Sequence, residues 1–238
     1  MPEQLVLPVR LNDAQSLDNF YSGPNAEIIE ALLTTLRSAD RPGRFYLYSG
    51  TGQGKSHLLQ GLCHAQRQAG GDYLFLPLKQ APVPRDFQAQ AAQVPLLCID
   101  DLQYLGEKDA EKQLFVMLEM SRQWNIHLVF TANAPPTGLG LKMPELQTRL
   151  QQMLVYRLTA LNDEEKMLAL KQRAERRGFE LSDDVLHYIK TWFTRDTPTL
   201  FLLLDQLDKQ SLADKRRVTI PYISALYRKI KNTKADGH

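Results

Sequence analysis

Short apolar runs alternate with helical patterns over the first two thirds of the chain, and helical patterns alone fill the rest. The runs RFYLYS (44–49), DYLFLPL (72–78), VPLLCID (94–100), IHLVFTA (126–132) and MLVYRL (153–158) predict strands. Between them, apolar residues recur at helical spacing near 55–69, 109–124 and 144–151. A further helical pattern at 25–38 starts at Pro24-Asn25 and is broken by Arg41-Pro42-Gly43. Strands interleaved with helices predict a mostly parallel sheet covered on both faces. After Leu161 the strand signals stop. Four helices follow, near 163–177, 182–193, 199–211 and 219–231, with starts at Asn162 and Ser182. Gly178 closes the first of them and Pro221 suits a first turn. The fold class expected is therefore α/β over 13–160, with its core downstream of Phe20, followed by a small all-helical domain over 161–238.

Residues 1–12 stand apart from this pattern. In MPEQLVLPVRL, Leu5, Leu7 and Val9 alternate with Gln4, Val6 and Pro8, which reads as an extended segment. Pro8 cannot donate a ladder hydrogen bond, so the segment does not suit a central strand. It has no basic start and no small-residue cleavage site, and is not a signal peptide. By itself it reads as an edge strand or a frayed terminus.

Composition narrows the function classes. No apolar stretch approaches the ~18 residues of a membrane span, so no membrane association is expected. Cys63 and Cys98 sit in apolar surroundings and form neither a disulfide framework nor a metal pattern, as in a reducing cytoplasm. A net charge of +2 is too small to imply nucleic-acid binding. The basic residues Lys215, Arg216, Arg217, Arg228, Lys229, Lys231 and Lys234 read as a solvated helical face and tail.

The chemistry-bearing stretch is SGTGQGKSH (49–57), placed after the first strand and before the first long helix of the sheet region. Gly50, Gly52 and Gly54, with Thr51 and Gln53 between them, let successive backbone N–H groups turn inward onto phosphate oxygens. The helix start adds its positive dipole end. Lys55 would reach the β- and γ-phosphates, Ser56 would join a Mg2+ shell, and His57 completes the segment. Ser49 stands where this motif usually has its first glycine. Strand 94–100 closes on Asp100-Asp101, where Asp100 would hold Mg2+ through water and Asp101 would orient or deprotonate an attacking water. The next strand ends in TANAPP (131–136), bringing polar Thr131 and Asn133 beside the γ-phosphate, and Arg149 lies in LQTRL just before the last strand.

The order of P-loop, aspartate pair, polar strand end, arginine and helical lid resembles AAA+ ATPases. That resemblance implies that Arg149 is a finger completing a neighbouring subunit's active site. NFYSGPN (19–25) is similar to the DnaA-clade segment over the adenine base, which implies nucleotide contacts from Phe20, Tyr21 and Asn25. IDDLQYLGEK (99–108) is similar to that clade's aspartate box. LFLLLDQLDK (200–209) and QLVLPV (4–9) together resemble the Hda family of DnaA-related regulators, which inactivate the replication initiator. The resemblance implies ADP or ATP with Mg2+ as cofactors, and two partners: ATP-bound DnaA and the DNA polymerase III β sliding clamp on DNA. Gln4, Leu5, Leu7 and Pro8 would then dock on the clamp, and DNA would be met only through it. Homo-oligomerisation stays open.

Two departures bear on this. The chain leaves no room after its last helix for the helix-turn-helix domain of an initiator, which favours a regulator. In the lid, Pro198 falls where the clade carries a sensor arginine, with Arg195 three residues earlier, so turnover of the chain's own ATP stays open. The competing reading is a helicase loader or another DNA-acting AAA+ ATPase.

Overall fold

The computed structural model describes residues 11, 15–38, 42–106, 108–193, 197–214 and 218–225. The chain divides into two compact units, one up to Ala160 and one from Leu161.

In the first unit, five parallel strands form one sheet: β1 (Arg44–Tyr48), β2 (Tyr73–Pro77), β3 (Leu96–Asp100), β4 (His127–Ala132) and β5 (Leu154–Arg157). Their spatial order is β2-β3-β4-β1-β5. The helices are α1 (Ala26–Arg37), α2 (Lys55–Gln68), α3 (Phe87–Ala91), α4 (Lys108–Met120) and α5 (Pro144–Gln151). Alternate strand residues feed two cores. Phe45, Leu47, Phe75, Cys98 and Val129 pack against Ile29 and Leu32 of α1 and Leu58, Leu59 and Leu62 of α2. Tyr46, Leu76, Leu97, Ile99, Leu128 and Phe130 pack on the other face against α3, α4 and α5. Burial on both faces explains why the central strands read as unbroken apolar runs. The α/β class expected from the sequence is the class observed.

Three differences from the sequence reading have physical reasons. The helix α3 is five residues long and too short to show a period. Leu11 and Leu17 pack against the α2-side core, so packing begins upstream of Phe20. A Cβ on Gly61 would come within 2.9 Å of Leu17, which shows how closely this incoming segment crosses α2. On β5, Leu154 and Val155 are exposed because the strand has β1 on one side only.

The second unit holds α6 (Asp163–Arg176), α7 (Asp183–Trp192), α8 (Thr197–Asp214) and a helical stretch at 220–225. Asn162 caps α6 in a reciprocal capping box with Glu165. Gly178 turns the chain out at φ +82°. Leu170, Leu186, Ile189, Leu200, Leu203 and Leu204 form the core. Arg173 is buried there, its guanidinium 4.9 Å from the Phe201 ring centre, while Arg177 pairs with Asp205 at 2.6 Å.

Candidate nucleotide-binding site

The loop Ser49–Gly54 leaves β1 and enters α2 directly. Gly52 and Gly54 take φ values of +75° and +86°, in the left-handed region where only glycine is unstrained. At Gly54 there is a second constraint, since a Cβ would lie 3.2 Å from the Phe20 ring. The Ser49 N–H donates to Ala132 O at 3.2 Å, which lays the loop against the end of β4. Lys55 is buried, and its Nζ donates to Ser49 O at 2.9 Å and Gly50 O at 2.8 Å. Burial pushes the Lys55 pKa down, and the nearby Asp101 and Asp100 carboxylates oppose that shift. An ammonium held by neutral carbonyl oxygens in a glycine-rich cradle suits an anion.

The carboxylates come from the neighbouring strand ends. Asp100 closes β3 and is buried, and the hydroxyls of Ser56 and Thr131 both bond to its carboxylate. Burial raises the Asp100 pKa, while these two hydroxyl bonds lead the opposing effects. Thr131, fully buried in β4, also accepts from the Asp101 N–H at 3.2 Å. One hydroxyl thus fixes both members of the pair. Asp101 adopts φ 58° and ψ 52°, a left-handed conformation that favours few non-glycine residues. Gln103, which the sequence did not single out, donates to Asp101 Oδ1 at 2.8 Å and accepts from the Asn133 N–H at 3.1 Å. The Tyr46 hydroxyl donates to Ala134 O at 2.7 Å and holds the same loop from below.

A wall rises on the other side of the P-loop. Phe20 meets the His57 ring edge-on at 5.3 Å, and His57 Nε2–H donates to Ser16 O at 2.9 Å. Tyr21, next in the chain, is half-buried. Asn25 makes its side-chain bonds within the chain. It is buried, its Nδ2 donates to Thr159 O at 2.9 Å, and its Oδ1 accepts from Thr159 N at 2.7 Å. Its amide ties the turn before α1 to the chain leaving β5. Asn25→Ala should therefore lower stability by about 1–2 kcal/mol, the usual loss when a buried pair of amide bonds goes unmade. Thermal melting together with an ADP titration checks this. A stable variant with weakened ADP affinity would return Asn25 to the nucleotide.

The fold separates Arg149 from this cluster. Arg149 pairs with Glu119 near the end of α4, beside Arg44 at the start of β1. The P-loop follows the far end of that strand, so the five residues of β1, at ~3.3 Å each, lie between them. Pro198 lies in the first turn of α8 and is exposed. Arg195 and the peptide residues Gln4, Leu5, Leu7 and Pro8 lie outside the described residues.

Residues 163–226 match the family model described as "Hda, lid domain". Among solved structures, the chain is similar to domain III of the Thermotoga maritima replication initiation protein DnaA, at 21% identity and a TM-score of 0.75, covering 93% of this chain and 98% of that one. It is also similar to AMPPCP-bound DnaA from Aquifex aeolicus, at 20% identity and a TM-score of 0.69, over 87% of this chain and 71% of that one. The Thermotoga maritima RuvB Holliday junction branch migration motor matches at 17% identity and a TM-score of 0.65, over 90% and 71% of the two chains. The fold is thus that of its AAA+ structural neighbours. More narrowly, residues 163–226 form a lid of the Hda type. Among the described residues, no helix is long and apolar enough to cross a membrane.

Proposed function

We propose that this protein binds an adenine nucleotide with Mg2+ in its P-loop, docks on the DNA-loaded β sliding clamp, and promotes hydrolysis of DnaA-bound ATP, restraining initiation of replication. The observation that carries the reading is an Hda-type lid in a chain whose DnaA-like fold carries the P-loop and aspartate cluster.

Each residue has a part. Gly50 to Gly54 and Lys55 hold the phosphates, with Thr51 and Gln53 supplying loop backbone. Phe20, Tyr21 and His57 wall the base. Mg2+ would be held by Ser56 and Asp100. Bound there, the ion would neutralise phosphate charge. Asp101, held by Gln103, would orient water, and Asn133 marks the γ-phosphate side. Residues 4–9 would dock on the clamp, with Gln4 hydrogen-bonding and Leu5, Leu7 and Pro8 entering an apolar cleft. Arg149, far from its own P-loop, would act on DnaA's nucleotide.

The experiment is hydrolysis of DnaA-bound ATP in the presence of clamp-loaded DNA. Hydrolysis should accelerate only when DNA, clamp and this protein are all present. Deleting residues 1–10 should abolish both clamp binding and the acceleration. Melting should stay within about two degrees, because Leu11 remains to pack against the core. Leu7→Ala alone should do most of the damage, since a short peptide has few anchors. Full clamp binding by the deletion variant would remove the docking role.

A further inference from the structure

The end of the sheet away from the P-loop carries its own cluster of charge. Arg44 opens β1, and its NH2 donates to Leu118 O at 3.1 Å and Ser121 Oγ at 2.5 Å, at the end of α4. Glu119, Arg122 and Arg149 lie close enough to bear on the charge of Arg44. Of these, Arg149 pairs with Glu119, and the four residues together carry a formal +2 from three positive charges and one negative.

Glu119 directs its carboxylate to Arg149. The Arg149 Nε lies 2.6 Å from Oε1, and NH2 donates to Oε2 at 3.3 Å. From the other side, NH1 donates to Gln152 Oε1 at 3.0 Å. A guanidinium has five N–H donors. With three engaged among the described residues, each terminal nitrogen keeps one. The pair is 40% and 43% exposed at its side chains, so it adds little to stability. Its effect falls on the geometry of Arg149, a side chain otherwise free to sample many rotamers.

We propose that Glu119 and Gln152 are positioning residues, which hold Arg149 so that its two remaining donors grip a phosphate of a nucleotide bound to a neighbouring protein. This rests on the reading of Arg149 as acting in trans. Fork-shaped contacts of this kind suit phosphate, which accepts two parallel N–H bonds. The side-on fork to Glu119 leaves the terminal edge of the guanidinium open. The +2 of the cluster keeps the surface attractive to an anion despite the glutamate. Holding a reacting group in place is worth much of an enzyme's rate, and small misplacements cost up to about a hundredfold.

The test uses the full-length protein, clamp-loaded DNA and ATP-bound DnaA, with Glu119→Ala, Glu119→Gln, Gln152→Ala and Arg149→Ala compared. The Glu119→Ala variant should lower the maximal rate of DnaA-bound ATP hydrolysis by about ten- to a hundredfold. The concentration of this protein giving half-maximal rate should be unchanged, as should its own affinity for ADP. Glu119→Gln, which keeps one acceptor, and Gln152→Ala should each lose less. A merely structural pair would shift melting and half-saturation instead of the maximal rate. Glu119→Ala and Glu119→Gln variants with full maximal rate, beside an inactive Arg149→Ala variant, would overturn the positioning role and leave the finger intact. Full activity of Arg149→Ala would instead overturn the reading beneath it. Should Glu119→Ala fold poorly, the near-isosteric Glu119→Gln decides by the same split.

Discussion

Arg149→Ala should leave this chain's own ADP affinity unchanged and lower hydrolysis of DnaA-bound ATP by about a thousandfold or more, the range for arginine fingers supplied in trans. The reason is positional. Arg149 stands on α5 beside the strand starts, whereas Lys55, Ser56 and Asp100 cluster at the strand ends. The length of β1 lies between them, which supports the reading that the phosphate Arg149 reaches belongs to another molecule. A phosphoryl transfer transition state spreads charge over the equatorial oxygens, and a guanidinium placed there stabilises it without entering the bond changes. The measurement is single-turnover hydrolysis on DnaA, with calorimetric ADP titration of the variant alongside. Should ADP binding to this chain weaken instead, the arginine would belong to its own site.

Lys55→Ala should weaken ADP binding by one to two orders of magnitude, as charge-assisted bonds to phosphate are worth ~1.5–3 kcal/mol. The nucleotide-free protein should melt no lower than before. Burial pulls the Lys55 pKa down, so the charged side chain is held there at a cost. Its bonds to Ser49 O and Gly50 O are a resting arrangement. The gain in melting temperature that ADP confers should shrink with the affinity. Melting and titration together separate two cases. A structural lysine would lower melting and spare ADP. A phosphate ligand would spare melting and lose ADP. Unchanged ADP affinity would falsify the P-loop reading.

Much of the sheet was legible in the sequence, because strands buried on both faces must be apolar throughout, as Leu96 to Ile99 and Leu128 to Phe130 are. The P-loop was legible for a related reason. Its glycines and Lys55 are contiguous, so local backbone demands write themselves into adjacent letters. What stayed hidden depends on contacts distant in the chain. Gln103 matters because β3 and β4 are neighbours, which brings Asn133 to it from 30 residues away. Glu119 matters because α4 and α5 meet at one end of the sheet, 30 residues apart in sequence. Asn25 reads as part of the base-binding segment, and its amide bonds to Thr159 across 134 positions are not visible there. No spacing rule reaches that far.

Leu11 sets a further limit, one of reach. It packs against the α2-side core, and only Val9 and Arg10 intervene between it and Pro8. The three residue steps from Pro8 to Leu11 can stretch at most ~11 Å when fully extended. A partner that seizes residues 4–9 therefore holds the α2 face of the first unit almost against itself, on a leash too short for the unit to swing freely. Capture and aiming become one event, and the local concentration of the unit beside its target is fixed by the single residue, Arg10, left between Val9 and Leu11.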